Sequence, residues 1–332
     1  MTSTAPTLRP DAGYRHEALL FDGTDELLRR AVPFVRDGVA AGEAVMIALV
    51  DSRWAHLRAA LGDVADRVHR VDMRELGSNP ARLIPAWHDF VARHDAGGRP
   101  MRGLGELIYP GRRSAEVAEC QIHESLLNLA LPPQTPLWLL CPYDVTTLDD
   151  ALLDDVRRSH PTVTDPHGGS HHDGHGDGHG DGHGEGHRIG HGAGHTAELW
   201  RRALPAADPA AQTTAFRRGD LGHVRRLVRG WAATSGLSRD RTDDLALAVN
   251  ELAANSIDHG GGRGVIRMWT EPGALVCEVT DTGRLDDVLV GRVAPVDGQV
   301  RGRGVWMVNQ LCDLVQIRST ASGTVVRVHS WV

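Results

Sequence analysis

The sequence has 332 residues, a formal net charge of -7 and a hydrophobic content of 41%. Its 36 basic residues are all arginine, and without lysine it can have no Walker A loop, no kinase-strand lysine and no Schiff base. No apolar run approaches the roughly 20 residues of a membrane span, and the mildly acidic balance speaks against a nucleic-acid surface.

The length predicts two domains, each able to bury a core. The N-terminus MTSTAPTLRPDAGYRHE lacks the basic start and apolar stretch of a signal peptide. Cys120, Cys141, Cys277 and Cys312 form no C-x-x-C pair, which predicts reduced thiols in a cytoplasmic protein.

Over residues 14–163 helix-like and strand-like segments alternate. LLRRAVPFVRDGVAAG reads as a helix ending at Gly42, and AVMIALVD as a short buried strand. WAHLRAALGD is a helix, VHRVDM a strand, and ARLIPAWHDFVARHDAGG and AEVAECQIHESLLNLAL are two more helices. TPLWLLCPYD is an apolar strand ending in Tyr143 and Asp144. This alternation predicts an α/β domain with a mainly parallel sheet.

Residues 164–197 break the pattern. Nine histidines from His167 to His195 recur among glycine and acidic residues, with almost no apolar side chains. Such a stretch buries too little surface to offset the entropy of ordering, and it is expected to be a disordered, flexible linker. Its imidazoles could bind Zn²⁺ or Ni²⁺, but a disordered tract offers neither fixed geometry nor outer-shell support.

From about residue 210 order returns. DLGHVRRLVRGWAATSGL is a helix stopped at Gly236, and SRDRTDDLALAVNELAANSIDHG is a longer helix with a Ser or Asp cap. GVIRMWTEPGALVCEVTD reads as two strands joined at Pro272 and Gly273. GVWMVNQLCD is a helix, and LVQIRSTASGTVVRVHSWV is a closing hairpin. The order predicts an α+β sandwich with helices on one face of a sheet.

Three segments of this half have chemical potential. Glu251 and Asn255 stand four residues apart on one helix face. There a carboxylate can take a proton from an attacking hydroxyl and an amide oxygen can ligate Mg²⁺. Asp281-Thr282-Gly283 closes a strand, where a carboxylate can accept from an exocyclic amine and glycine lets a flat ring approach. Gly302-Arg303-Gly304 precedes a helix whose first N–H groups can face a phosphate. Taken singly, each is common on solvated faces and in capped loops.

Their order resembles the boxes of the GHKL ATPase superfamily (Bergerat fold): NELAANSIDHG, VTDTG, GRGVWMVNQLCD and SGTVVRV. The resemblance implies ATP binding without a P-loop, consistent with the missing lysine. It implies that Asn255 holds Mg²⁺ and that Asp281 receives the adenine amine. Gly283 would then allow ring approach, Gly302 and Gly304 would form the phosphate-side turn, and Thr324 would support the adenine pocket. Leu285–Arg301 would be a mobile lid, with His259 near the phosphates.

HTAELWRRALPAADPAAQTTAFRRGDLG is too short and proline-broken for the dimerising hairpin of a sensor histidine kinase. ELAANSIDHG instead is similar to the anti-sigma-factor serine kinases. That family implies that Glu251 is the catalytic base and that a STAS anti-anti-sigma protein is phosphorylated. It further implies sequestration of an alternative sigma factor and a homodimer, although the apolar stripe of Leu221–Ala233 could simply be core.

The first half, through GLGELIYPGRR, AECQIHESLLNLAL, LLCPYD and RRSHPTV, resembles the MEDS sensory domain. It implies a RecA-like layer without a P-loop. Cys120, His123, Glu124 and Cys141 could meet there at a sensor pocket or a metal, or be core residues. Two other functions remain open: an ATP-binding pseudokinase or histidine-kinase-like signalling protein, and a metal-responsive regulator acting through the histidine tract.

Overall fold

The computed structural model describes residues 13–95, 97–166, 170–172, 190–295 and 303–332. Packing divides the chain into two compact units. The first comprises Met1–Leu76, Ala86–Arg113 and Leu127–Ala193, and the second Gly77–Pro85, Ser114–Leu126 and Gly194–Val332.

The first half runs β1 (Arg15–Phe21), α1 (Gly23–Ala40), β2 (Ala44–Leu49), α2 (Asp51–Leu61), β3 (His69–Asp72) and α3 (Met73–Leu76). It continues with α4 (Leu83–His94), β4 (Met101–Gly105), α5 (Ser114–Ala130), β5 (Leu137–Asp144), α6 (Asp150–Ser159), β6 (Thr162–Thr164) and β7 (Ser170–His172). The strands form one sheet in the order β3-β2-β4-β5-β1-β6-β7, parallel except for the β6–β7 pair. Strands covered on both faces read as continuous apolar runs, and β1 and β2 are buried along almost their whole length. The α1 helix stops where Gly42 takes φ 77°, a conformation that favours glycine.

Three elements here have weak sequence signals: β1, β4 and α6. Strand β4 is MRGLG, and glycine is depleted in strands. Its glycine has a packing reason, because a Cβ on Gly103 would stand 2.7 Å from the Trp87 ring. Helix α6 begins at Asp149, whose side chain accepts from Leu152 N at 2.8 Å.

Ordered structure enters both ends of the stretch expected to be a disordered linker. β7 pairs with β6, and α7 (Gly190–Arg201) starts inside the glycine-rich run. Burial of Leu199 and Trp200 gives that helix an apolar anchor. Most of the histidine tract, residues 173–189, lies outside the described residues.

The second half contains β8 (Gln212–Arg217), α8 (Leu221–Ala233), α9 (Arg239–His259), β9 (Arg263–Glu271), β10 (Ala274–Asp281), α10 (Arg303–Leu311), β11 (Leu314–Thr320) and β12 (Gly323–Trp331). The sheet is antiparallel, in the order β11-β12-β10-β9-β8. Register is fixed by charge as well as by pattern. Arg267, Glu278 and Arg327 lie abreast on β9, β10 and β12, with Glu278 bonded to Arg267 at 3.0 Å and to Arg327 at 2.6 Å.

Helix α9 is capped by Ser238, which accepts from Arg241 N, and it buries Leu245, Val249, Leu252 and Ile257. The stripe Val224, Val228 and Ala232 of α8 is fully buried, with α8 packed on α9. It is core. In the same unit, the Glu119 carboxylate bonds both Arg292 at 3.2 Å and Arg318 at 2.7 Å, all three buried.

Candidate nucleotide site

Helix α9 brings the two halves of the site together. One turn separates Glu251 from Asn255, so both side chains emerge from the half-buried face opposite Val249 and Leu252. Gly304, in the first turn of α10, lies directly against them. A Cβ there would sit 3.2 Å from Asn255 Nδ2 and 3.5 Å from Glu251 Oε2. Glycine here lets α10 pack close to the amide and carboxylate, where a side chain would crowd Asn255. A depression of about 430 Å³ opens here, lined by Glu251, Pro295, Arg303, Gly304, Trp306 and Met307.

At the other end stands Asp281, the last residue of β10. Its Oδ2 accepts from Ser256 Oγ at 2.6 Å, and its Oδ1 accepts from Gly283 N at 2.8 Å. A carboxylate offers about four lone-pair positions, so two anchoring bonds leave capacity for a further donor. The turn that follows is tight. A Cβ on Gly283 would fall 2.7 Å from Gly260 Cα and from His259 O, and Gly260 leaves room for the Asp281 carboxylate in turn. Thr324 Oγ1 donates to Gly283 O at 2.9 Å and lies 3.2 Å from Ser319 Oγ.

The structure therefore places the described sequence-derived residues in two groups along α9, one against its turn of Glu251 and Asn255 and one against its C-terminal end. Glu251, Asn255 and Gly304 meet in one group, and Asp281, Gly283 and Thr324 in the other. Gly302 lies outside the described residues, as does the stretch 296–301 of the expected lid. The described start of that lid is fixed by Leu285 N donating to Ser319 Oγ and by Asn309 Nδ2 donating to Gly291 O, at 2.9 and 2.8 Å. His259 is exposed at the end of α9. Ser256 was not singled out from the sequence, and its position next to Asn255 is the only signal that could have found it.

The expected cluster of Cys120, His123, Glu124 and Cys141 is rearranged. All four are buried. Within the first unit the ligand atom of Cys141 comes together with those of His16 and His160, whereas Cys120, His123 and Glu124 belong to the second unit. Among the described residues, no helix is long and apolar enough to cross a membrane.

Comparison with known proteins follows the same division. The family described as "MEDS: MEthanogen/methylotroph, DcmR Sensory domain" matches residues 15–161, from β1 to just past α6. The histidine kinase-like ATPase domain matches residues 214–329, from β8 into β12. Over 120 residues the chain is 30% identical to the serine-protein kinase RsbW of Halalkalibacterium halodurans, a match covering 72% of that protein and 32% of this chain. Among solved structures, the RsbU and RsbW domains of Rv1364c from Mycobacterium tuberculosis match at 18% identity with a TM-score of 0.29. That match covers 42% of this chain, which spans only 40% of the solved chain.

Proposed function

We propose, from the premise that the chain belongs to the RsbW family of anti-sigma-factor serine kinases, that its C-terminal half phosphorylates a STAS-type anti-anti-sigma protein on serine or threonine. The same half sequesters an alternative sigma factor when that protein is phosphorylated, and the N-terminal MEDS domain biases the switch. The histidine tract serves as a tether.

The observation that supports this reading best is the meeting of Glu251, Asn255 and Gly304. A carboxylate, an amide and a helix N-terminus converge there, and these are the parts a phosphoryl transfer needs: a base, a metal ligand and N–H donors for phosphate oxygens. The residues fit Mg-ATP. Bound Mg-ATP would supply the phosphoryl group and leave as ADP. Asn255 would hold the ion, the α10 N-terminus would offer N–H groups to phosphate oxygens, and Asp281, oriented by Ser256 and Gly283, would accept the adenine amine. Glu251 takes the hydroxyl proton of the substrate serine, so that oxygen attacks as its charge develops.

The test is incubation of the full chain with Mg-ATP and a STAS antagonist encoded near its gene, followed by mass spectrometry. A phosphoserine or phosphothreonine on the antagonist is expected. ATP binding without any transfer would reduce the chain to a nucleotide-binding pseudokinase.

A further inference from the structure

We propose that Asn79, Arg82 and Glu119 are positioning residues of the nucleotide site, a role that rests on the proposed Mg-ATP reading of that site. They hold helix α10 and the backbone at Gly291 and Arg292 in the places the phosphates need. All three lie in the second unit, in its Gly77–Pro85 and Ser114–Leu126 segments. They fall outside residues 214–329, which match the ATPase domain, and inside residues 15–161, which match the sensory family. The frame of the nucleotide site is therefore shared with sensory-family sequence.

Arg82 acts on α10. Its Nε donates to Asn309 O at 2.8 Å, and its Nη2 donates to Gln310 O and Cys312 O, each at 2.9 Å. Helix α10 ends at Leu311, and the last carbonyls of a helix lie beyond the reach of its own N–H groups. A guanidinium there supplies donors and meets the negative end of the helix dipole. A helix of 9 residues is a rod about 14 Å long. Fixing its C-terminus aims its N-terminus, where Gly304 packs against Asn255 and Glu251.

Asn79 acts through a chain of amides. It is fully buried, and its Oδ1 accepts from Ala81 N at 3.1 Å. That bond turns its Nδ2 toward Asn309, where it donates to O at 3.1 Å and to Oδ1 at 3.2 Å. With its Oδ1 so engaged, Asn309 presents Nδ2 to Gly291 O at 2.8 Å. Gly291 sits tightly on α10: its φ is 69°, and a Cβ there would stand 2.5 Å from Val305 Cγ1. The next residue, Arg292, is held by Glu119 at 3.2 Å, and Arg318 of β11 fixes Glu119 in turn at 2.7 Å. Three residues further on, Pro295 lines the depression at Glu251 together with the first turns of α10. Asn79, Arg82 and Glu119 thus hold both the α10 side and the Pro295 side of that depression.

Equilibrium binding of Mg-ATP and of adenosine to the full chain tests this. The α10 N-terminus serves phosphates, whereas adenosine engages only the Asp281 end. Arg82→Ala is expected to weaken Mg-ATP binding at least about tenfold and to leave adenosine affinity within about twofold. Arg82→Lys, which keeps the charge but not the planar fork, should recover part of the loss. If Arg82→Ala is unfolded by circular dichroism, Arg82→Gln takes its place, with a loss for Mg-ATP of at least about threefold expected. Unchanged Mg-ATP affinity in the folded variant, or an equal loss for adenosine, would overturn the positioning role and leave Arg82 a cap of the fold alone. Failure of wild type to bind Mg-ATP would sink the nucleotide reading itself, and the positioning role with it.

Discussion

Ser256 Oγ donates a 2.6 Å hydrogen bond to Asp281 Oδ2, fastening the last turn of helix α9 to the end of strand β10. The residue before Ser256 is the expected Mg²⁺ ligand and Asp281 is the expected adenine acceptor, so this bond sets the distance between the two ends of the site. Hydrogen bonds to charged groups contribute about 1.5–3 kcal/mol. Ser256→Ala should therefore lower stability by roughly that amount and weaken ATP binding several-fold. Asp281→Asn, which replaces an acceptor oxygen by a donor, should weaken ATP binding at least about tenfold. Calorimetric titration and urea unfolding of both variants check this.

The tight turn gives a second prediction. With a Cβ 2.7 Å from two backbone atoms, Gly283→Ala must push the turn away from Gly260. Adenosine nucleotide binding should fall at least about tenfold in equilibrium dialysis. Unaltered affinity would mean that the ring does not approach this backbone.

Glu119 supports two buried guanidinium groups, and burial pushes that of Arg292 below the ordinary arginine range, with Glu119 opposing. Removing the shared carboxylate leaves both cations without their charge partner. Glu119→Ala should cost about 3–5 kcal/mol, read as a lower urea midpoint of the C-terminal unit, and Glu119→Asp should recover part of it.

Glu106, just past β4, gives a pH signature. Burial pushes its carboxyl up to about 7, Arg53 opposes, and the Asp144 charge adds to the rise. Arg53 contacts both carboxylates, at 3.3 and 2.6 Å. The folded state therefore takes up a proton between the ordinary carboxylate range and about pH 7. The resulting stability is fully present below that window and is lost as pH rises through it, by about 3 kcal/mol at most. Urea midpoints of wild type and Glu106→Gln, taken at about pH 5 and about pH 8, should converge on one side and separate on the other. Parallel pH dependences would contradict the assignment.

Apolar periodicity made α1, β2, α5, β5, α8, α9 and the β9–β10 hairpin legible in the sequence, because each buries an unbroken stripe or run. Strand β8 (QTTAFR) was not legible. It is an edge strand with a single buried residue, so its pattern is nearly polar. The candidate nucleotide site could be proposed from the sequence because its residues fall in four local motifs in a fixed order. The nearness of His16, Cys141 and His160 could not be. It arises only through the β5-β1-β6 adjacency, whereas the sequence offers Cys120, His123 and Glu124 as neighbours along a single helix.

The most direct test of the kinase reading separates binding from transfer at α9. Mg-ATP affinity and the rate of STAS phosphorylation are measured for wild type, Asn255→Ala and Glu251→Ala. The account predicts that Asn255→Ala loses Mg-ATP binding. Glu251→Ala should keep affinity within a few-fold but lose transfer by about 10²-fold or more, the scale of general-base catalysis. Equal loss of binding in the two variants, or undiminished transfer by Glu251→Ala, would contradict it.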